Sequence, residues 1–168
     1  MIFVAVLQDF SLDMKTDSII VYTDGSCNPK HSIGGWVAIL FIGDEKKILS
    51  GVVNKTTHQR MELVAVIKSF EYLANLQIQS AELYTDSQYV VGISGRKLKL
   101  EKAGFVTSKN KPISNVDLVR TFVGFIETLN IRFVKVKAHL NTSELNFNRE
   151  ADKLARKIVR EAVNKIIC

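Results

Sequence analysis

Four carboxylates stand where a regular element starts or stops, and acids in such places can share one task. Asp24 follows the run Ile19–Thr23, and Asp86 follows the short run AELYT. Glu62 precedes an apolar stripe of helical spacing, and Asp152 opens the last helical stretch. If the segments before Asp24 and Asp86 lie side by side as strands, both acids emerge at the same edge of the sheet. A carboxylate ending a buried strand is costly unless something shares its charge. Each acid alone also has a plain reading: Asp86 belongs to a turn, and Glu62 and Asp152 complement helix dipoles. Spacing alone leaves the two readings open.

The segments that must position these acids read clearly. Ile19–Thr23 is β-branched and aromatic, as a central strand requires. Gly34-Gly35 leads into WVAILFI, a second strand, with Trp36 assigned to the core; Gly43-Asp44 marks a tight turn, and Lys47–Asn54 forms a third strand. This part reads as an antiparallel meander. From Gln59 to Leu76 the period changes to 3.6, with Leu63, Val66, Ile67, Phe70, Leu73 and Ala74 on one face. A strand ending at Asp86 follows, then a helix through Tyr89–Val91 that Ser87 can cap. A strand, a helix and another strand imply a crossover and parallel pairing. Val116–Leu129 is a further amphipathic helix. Arg132–Ala138 alternates, with Val134, Val136 and Ala138 on one face and Phe133, Lys135, Lys137 and then His139 on the other. The final helix is expected from about Asn148, with Ala151, Leu154, Ala155, Ile158, Ala162 and Ile166 inward. The order βββαβαβα predicts one mixed α/β sheet covered by helices.

Composition narrows the partners. The chain has 168 residues, 46% of them apolar, which suits one globular domain. Lys and Arg outnumber Asp and Glu by 23 to 17, a net charge of +6. That excess points to an anionic partner, nucleic acid before a membrane surface. Residues 95–112 carry Arg96, Lys97, Lys99, Lys102, Lys109 and Lys111 against one acid, Glu101, which favours a polyanion contact over a solvated face. Two cysteines, Cys27 and Cys168, exclude a disulfide framework and a zinc cluster and suit a reducing, intracellular, cytoplasmic setting. The opening MIFVAVL has no basic flank or cleavage site, and no apolar run nears the roughly 20 residues of a membrane span. Residues 1–18 are expected to be an extension, either an extra edge strand or loose, with a single domain over 19–168.

TDGS with Asp24, QRMEL with Glu62, TDSQYV with Asp86, VKAH with His139 and NREADKLAR with Asp152 occur in that order. Over about Ile19–Ile158 the chain resembles a type 1 ribonuclease H. The resemblance implies a five-stranded mixed sheet of order 3-2-1-4-5 with helices on both faces. It further implies hydrolysis of the RNA strand of an RNA–DNA hybrid, nearly independent of sequence, leaving 5′-phosphate and 3′-hydroxyl ends. Asp24, Glu62, Asp86 and Asp152 would bind two Mg²⁺ ions, with Mn²⁺ as a substitute, since hard cations take oxygen ligands. His139 would assist proton transfer or product release. Thr57 and Lys55 match a DNA-strand phosphate contact; Gln59, Cys27 and Asn28 match backbone or 2′-hydroxyl contacts, His58 stands at the position of a minor-groove contact, and Asn148 lies near the fourth acid. Residues 95–112, including Arg96, Lys97, Lys99, Lys102 and Phe105, resemble a basic protrusion that grips the hybrid. No membrane and no obligate protein partner are implied, and the expected state is a monomer.

Three departures from the family's pattern stand out. His58 replaces the usual Asn beside Gln59, the protrusion holds Phe105 where several tryptophans are common, and NTSELNFNREA makes a longer loop between His139 and Asp152. Other nucleases with acids on a similar sheet, such as junction resolvases or integrase-like enzymes, are the nearest alternative. A non-catalytic hybrid-binding module is the alternative of another class, and no acid is missing to suggest it.

Overall fold

The computed structural model describes residues 19–136 and 143–167. The expected meander forms from β1 (Ile20–Asn28), β2 (Ile33–Ile42) and β3 (Glu45–Asn54), paired antiparallel throughout. Ile42 pairs with Glu45, so Gly43-Asp44 is a two-residue turn, and Gly43 takes the φ of +57° that such turns ask of glycine. Helix α1 (His58–Asn75) then crosses to β4 (Ser80–Thr85), which lies parallel to β1. Two short helices, α2 (Gln88–Ser94) and α3 (Lys97–Lys102), lead to α4 (Val116–Thr128). Strand β5 (Asn130–Lys135) joins β4 in parallel, and α5 (Ser143–Ile167) closes the described chain. The sheet order is β3-β2-β1-β4-β5, as the resemblance implied.

Alternation along the strands sends side chains to two cores. On one face Val21, Ala38, Leu40 and Leu83 pack against Leu63, Val66 and Phe70 of α1 and Phe122 of α4. On the other, Tyr22, Val37, Ile39 and Tyr84 meet Ala151 and Ala155 of α5. Phe133 joins the first core, while Val134 and Val136 join the second, as the alternation predicted. Lys46 fastens the start of α5 to the sheet: its Nζ lies 2.8 Å from both Glu150 oxygens and 5.1 Å from the Phe147 ring centre.

Several expectations are corrected. β1 does not stop before Asp24, because β2 keeps pairing with it to Asn28, opposite Ile33. Trp36 is half-buried outside both cores and lies across Gly51, where a Cβ would stand 2.7 Å from its Nε1. Helix α5 starts at Ser143, not Asn148, so much of the supposed loop before Asp152 is helical and Asp152 lies turns inside the helix. Its inward stripe is Ala151, Ala155, Val159 and Val163 at steps of four. Ile166, three residues past Val163, falls off that stripe to the rim beside Val52 and is 64% exposed. Ala74 likewise faces solvent near the end of α1. Residues 1–18, Ala138 and His139 lie outside the described residues.

Candidate active site

Register brings the first two acids together. Tyr22 of β1 pairs with Tyr84 of β4, so two residues on Asp24 comes level with Asp86. There the parallel ladder has ended, since Thr85 is the last residue of β4. Ser87 turns the chain at once into α2 by accepting a hydrogen bond from the Val90 amide at 3.1 Å. Asp24 itself is held mid-strand by the hairpin, opposite Val37.

Glu62 arrives from the opposite face of the sheet through a close backbone approach. A Cβ built on Gly25 would stand 2.3 Å from the Glu62 nitrogen and from the Met61 carbonyl carbon. Only glycine lets α1 lie this near β1, which explains the G of TDGS. The Ser87 hydroxyl donates to the Glu62 carboxylate, and His58 Nε2 lies 3.4 Å from its Oε1. Ser87 thus serves both the turn and the acid.

Asp152 and Asn148 come from α5, beside the Ala151 that packs under Tyr22 and Tyr84. Asn148 is buried, and its Nδ2 donates to Asp86 Oδ2 at 3.4 Å; among the described residues its Oδ1 has no partner. Arg156 Nε donates to Asp152 Oδ1 at 2.7 Å, one helical turn on.

The electrostatics follow from this packing. Burial, then repulsion from Asp86 and Asp152, and a smaller push from Glu62, raise the Asp24 pKa to about 7, against the pull of the Gly25 amide. Burial also raises Glu62, with Asp86 adding to it and the Ser87 hydroxyl and His58 opposing. Among the described residues no three acidic, histidine or cysteine side chains form a ready-made metal cage. What exists is a field: one half-buried acid on which three other carboxylates act, with Arg156 on Asp152 as a nearby fixed cation. An oxygen-only donor set of this charge suits hard divalent cations such as Mg²⁺ or Mn²⁺, which keep waters and need no closed protein cage.

The other sequence-assigned residues fall around this centre at different distances from it. Thr57 caps α1, its Oγ1 accepting from the Arg60 amide at 3.4 Å, with His58 and Gln59 exposed in the first turn. Lys55, at φ +53°, precedes them and is exposed. Cys27 is half-buried with its Sγ 3.5 Å from the Thr56 carbonyl oxygen, and burial pushes its thiol pKa up. Asn28 Oδ1 accepts from the His31 amide at 3.2 Å.

In the 95–112 segment the cations divide. Arg96 Nε donates to the Gly92 carbonyl at 2.9 Å, and Lys97 lies 3.5 Å from Glu127. Glu127 also hydrogen-bonds Glu101, which raises the pKa of Glu101 and lowers that of Glu127. Lys99, Lys102, Lys109 and Lys111 are exposed, without an ion pair among the described residues. Phe105 packs against the larger core at φ +60°, with the Arg120 guanidinium 4.7 Å over its ring. One face of that ring is therefore covered.

Two arginines also act on carboxylates here. Arg156 on Asp152 has an i,i+4 spacing that could have revealed it. Arg60, paired with both Asp117 oxygens at 2.9 and 2.6 Å across 57 positions, had no local signal. This pair holds the Asp117 pKa down at about 2.

Comparison with known proteins agrees with the sequence resemblance. A sequence profile of the RNase H family matches residues 16–160. The chain is similar to a ribonuclease H of Rhodopseudomonas palustris (strain TIE-1), 42% identical over 139 residues, which are 82% of this chain and 86% of that one. A ribonuclease H of Prosthecochloris aestuarii (strain DSM 271 / SK 413) is 37% identical over 144 residues, 84% of this chain and 95% of its own. Among solved structures, the foamy viral protease-reverse transcriptase in complex with dsDNA is similar with a TM-score of 0.66 and 26% identity, covering 84% of this chain and 94% of that one. The prototype foamy virus protease-reverse transcriptase, at 24% identity and a TM-score of 0.68, shares the fold; the match spans 84% of this chain and 21% of that longer one. Among the described residues no helix is long and apolar enough to cross a membrane.

Proposed function

The chain belongs to the ribonuclease H family of enzymes, and from that premise we propose that it cleaves the RNA strand of RNA–DNA hybrids at the four-acid centre, leaving 5′-phosphate and 3′-hydroxyl ends. The observation that carries this reading is the half-buried Asp24, set level with Asp86 and acted on by Glu62 and Asp152. Such mutual repulsion is tolerated when cations share the site. Asp24, Glu62, Asp86 and Asp152 would hold two divalent ions, Mg²⁺ with Mn²⁺ as substitute. When bound, these would supply Lewis-acid activation of the attacking water and neutralise charge on the leaving 3′ oxygen.

The chain's own groups orient that centre. Ser87 and His58 aim Glu62, Asn148 aims Asp86, and Arg156 aims Asp152. Thr57 and Lys55, at the entry to α1, would take a DNA-strand phosphate. His58, Gln59, Cys27 and Asn28 would meet sugar and backbone, where the 2′-hydroxyl tells RNA from DNA. His139 would move a proton or help product leave. Of Arg96, Lys97, Lys99 and Lys102, the exposed Lys99 and Lys102 would lead the grip, Lys97 being tied to Glu127 and Arg96 to Gly92, while Phe105 packs the segment to the core; phosphate contacts position a duplex without reading its sequence. We read residues 19–168 as one catalytic domain, monomeric and suited to a reducing cytoplasm, with 1–18 an extension.

The decisive experiment offers end-labelled RNA–DNA hybrid, duplex RNA, duplex DNA and a four-way DNA junction with Mg²⁺, with and without chelator. Metal-dependent cutting confined to the RNA strand of the hybrid is the expected result. Cutting of the junction instead would replace this reading with a resolvase.

A further inference from the structure

Beside the acids, on the side away from α1, lies an open cleft of about 560 Å³. One wall is the end of β1, Ser26 to Asn28, with Pro29 just after it; the other is a flank of α5 carrying Lys153, Arg156 and Arg160. Their steps of three and four residues put these three cations on one side of the helix. Asp152 lines the same cleft, so it opens directly from the four-acid centre.

The cleft is built by a second close backbone approach. Gly35 of β2 pairs with Ser26, and a Cβ there would stand 3.0 Å from Val159 Cγ2 and 3.1 Å from the Ala155 carbonyl oxygen. With no side chain between helix and strand, the flank of α5 is drawn alongside Ser26 and Cys27. The charges facing this space are three cations and one acid. Arg156 spends its Nε on Asp152, at 2.7 Å. Lys153 and Arg160 are exposed and, among the described residues, have no ion-pair partner. On the same helix Lys157 lies 3.8 Å from Glu161, which is the ordinary way such a surface is neutralised. The cleft flank departs from it.

We propose that this cleft is a phosphate subsite for the RNA strand, holding the phosphate adjacent to the one cleaved. The proposal rests on the hybrid-cleaving reading above. Lys153 and Arg160 supply point and forked donors, the Ser26 hydroxyl supplies another, and phosphate oxygens accept them all. The occupant belongs to the RNA strand because a strand whose phosphodiester reaches Asp152 must pass its next phosphate along the adjoining space. This subsite lies across the acids from the basic segment 95–112 and is independent of it in sequence.

The test uses hybrids in which a short ribonucleotide window fixes the cut, with one neutral methylphosphonate linkage on one or the other side of it. Wild type and the Lys153→Ala/Arg160→Ala variant are compared for binding in chelator and for cleavage in Mg²⁺. In wild type, the neutral linkage on one side should weaken binding by about tenfold and lower the salt slope by about one, as expected when one phosphate charge is taken from the interface. The variant should lose a similar factor with the fully charged hybrid and nothing further with that neutral one. Equal sensitivity of wild type and variant to the neutral linkage would overturn the subsite, as would an unchanged salt slope in the variant. Failure of both proteins to cut any hybrid would instead strike the parent reading, while the binding comparison in chelator still decides the subsite.

Discussion

The four-acid centre and the basic segment 95–112 are built in opposite ways. Three of the acids are fixed directly by backbone: Asp24 by its pairing with Val37 in the hairpin, Glu62 by the close approach at Gly25, and Asp86 by the end of a ladder. Glu62, Asp86 and Asp152 each also have a neighbour that aims them. The basic segment has almost none of this, for α3 buries no residue and four lysines of the segment reach into solvent. Charges that are partly buried and near one another interact more strongly than isolated exposed ones, which are screened over about 10 Å at moderate salt. Chemistry that depends on placement is therefore put on packed backbone, and attraction that depends on charge count is left to long, exposed side chains.

The largest effect that would sharpen this contrast comes from removing one acid. Asp86→Asn is expected to lower cleavage by about 10³-fold, the scale of removing one preorganised electrostatic group, while hybrid binding changes little. The metal-free variant should melt no lower than wild type, because Asp24 is freed of the strongest repulsion acting on it. Near-normal turnover would remove Asp86 from the chemistry.

Asp24 supplies the next effect, on stability. Its folded pKa of about 7 lies above the ordinary carboxylate value, so the folded state binds its proton more tightly than the unfolded chain. That contribution is present below about pH 4 and is lost as pH rises through about 7. Metal-free protein should therefore lose on the order of 2 kcal/mol between about pH 5 and pH 8. Mg²⁺ should reverse the trend, since the ions need the carboxylate form and expel its proton. Urea melts with chelator and with Mg²⁺ at both pH values check this, and a metal-free stability that climbs over that range would contradict it. Asp117 titrates in another window: held low by Arg60, it adds stability above the ordinary range that fades as pH falls towards 2.

How much of this was legible follows the same division. The meander, the crossover and the capping by Ser87 are all visible as local patterns, because hydrophobic period and turn residues act over a few positions. The grouping of the acids is not local, and only their order in a familiar set of motifs revealed it. What pattern could not give were lengths set by a partner: β1 runs past Asp24 because β2 continues beside it. Helix α5 likewise starts at Ser143, ahead of where its apolar stripe suggests. Trp36 departs from its pattern because, although a large aromatic in a strand usually goes inward, Gly51 offers it a surface to lie on. Arg60 with Asp117 is invisible in sequence at a separation of 57.

The smallest effect tests the exposed side of the comparison, and the structure refines how to do it. Of the six cations in 95–112, Lys97 is tied to Glu127 and Arg96 turns back on Gly92, so four remain for a polyanion. Replacing Lys99, Lys102, Lys109 and Lys111 with Gln should weaken hybrid binding by about tenfold at low salt. It should also flatten the salt dependence by about 0.9 for each phosphate that is no longer neutralised. Turnover at saturating hybrid should stay near wild type, and so should the melting temperature, because none of the four is buried. Lys97→Gln alone should leave the salt slope unchanged and act only on the packing of α3 against α4. A fall in saturated turnover in the fourfold variant would break the comparison, for it would mean that these distant charges act on the chemical step itself. An unchanged slope would mean that the segment does not touch the substrate. That second result would move the grip elsewhere, with the cleft beside α5 the next surface to probe by the same titration.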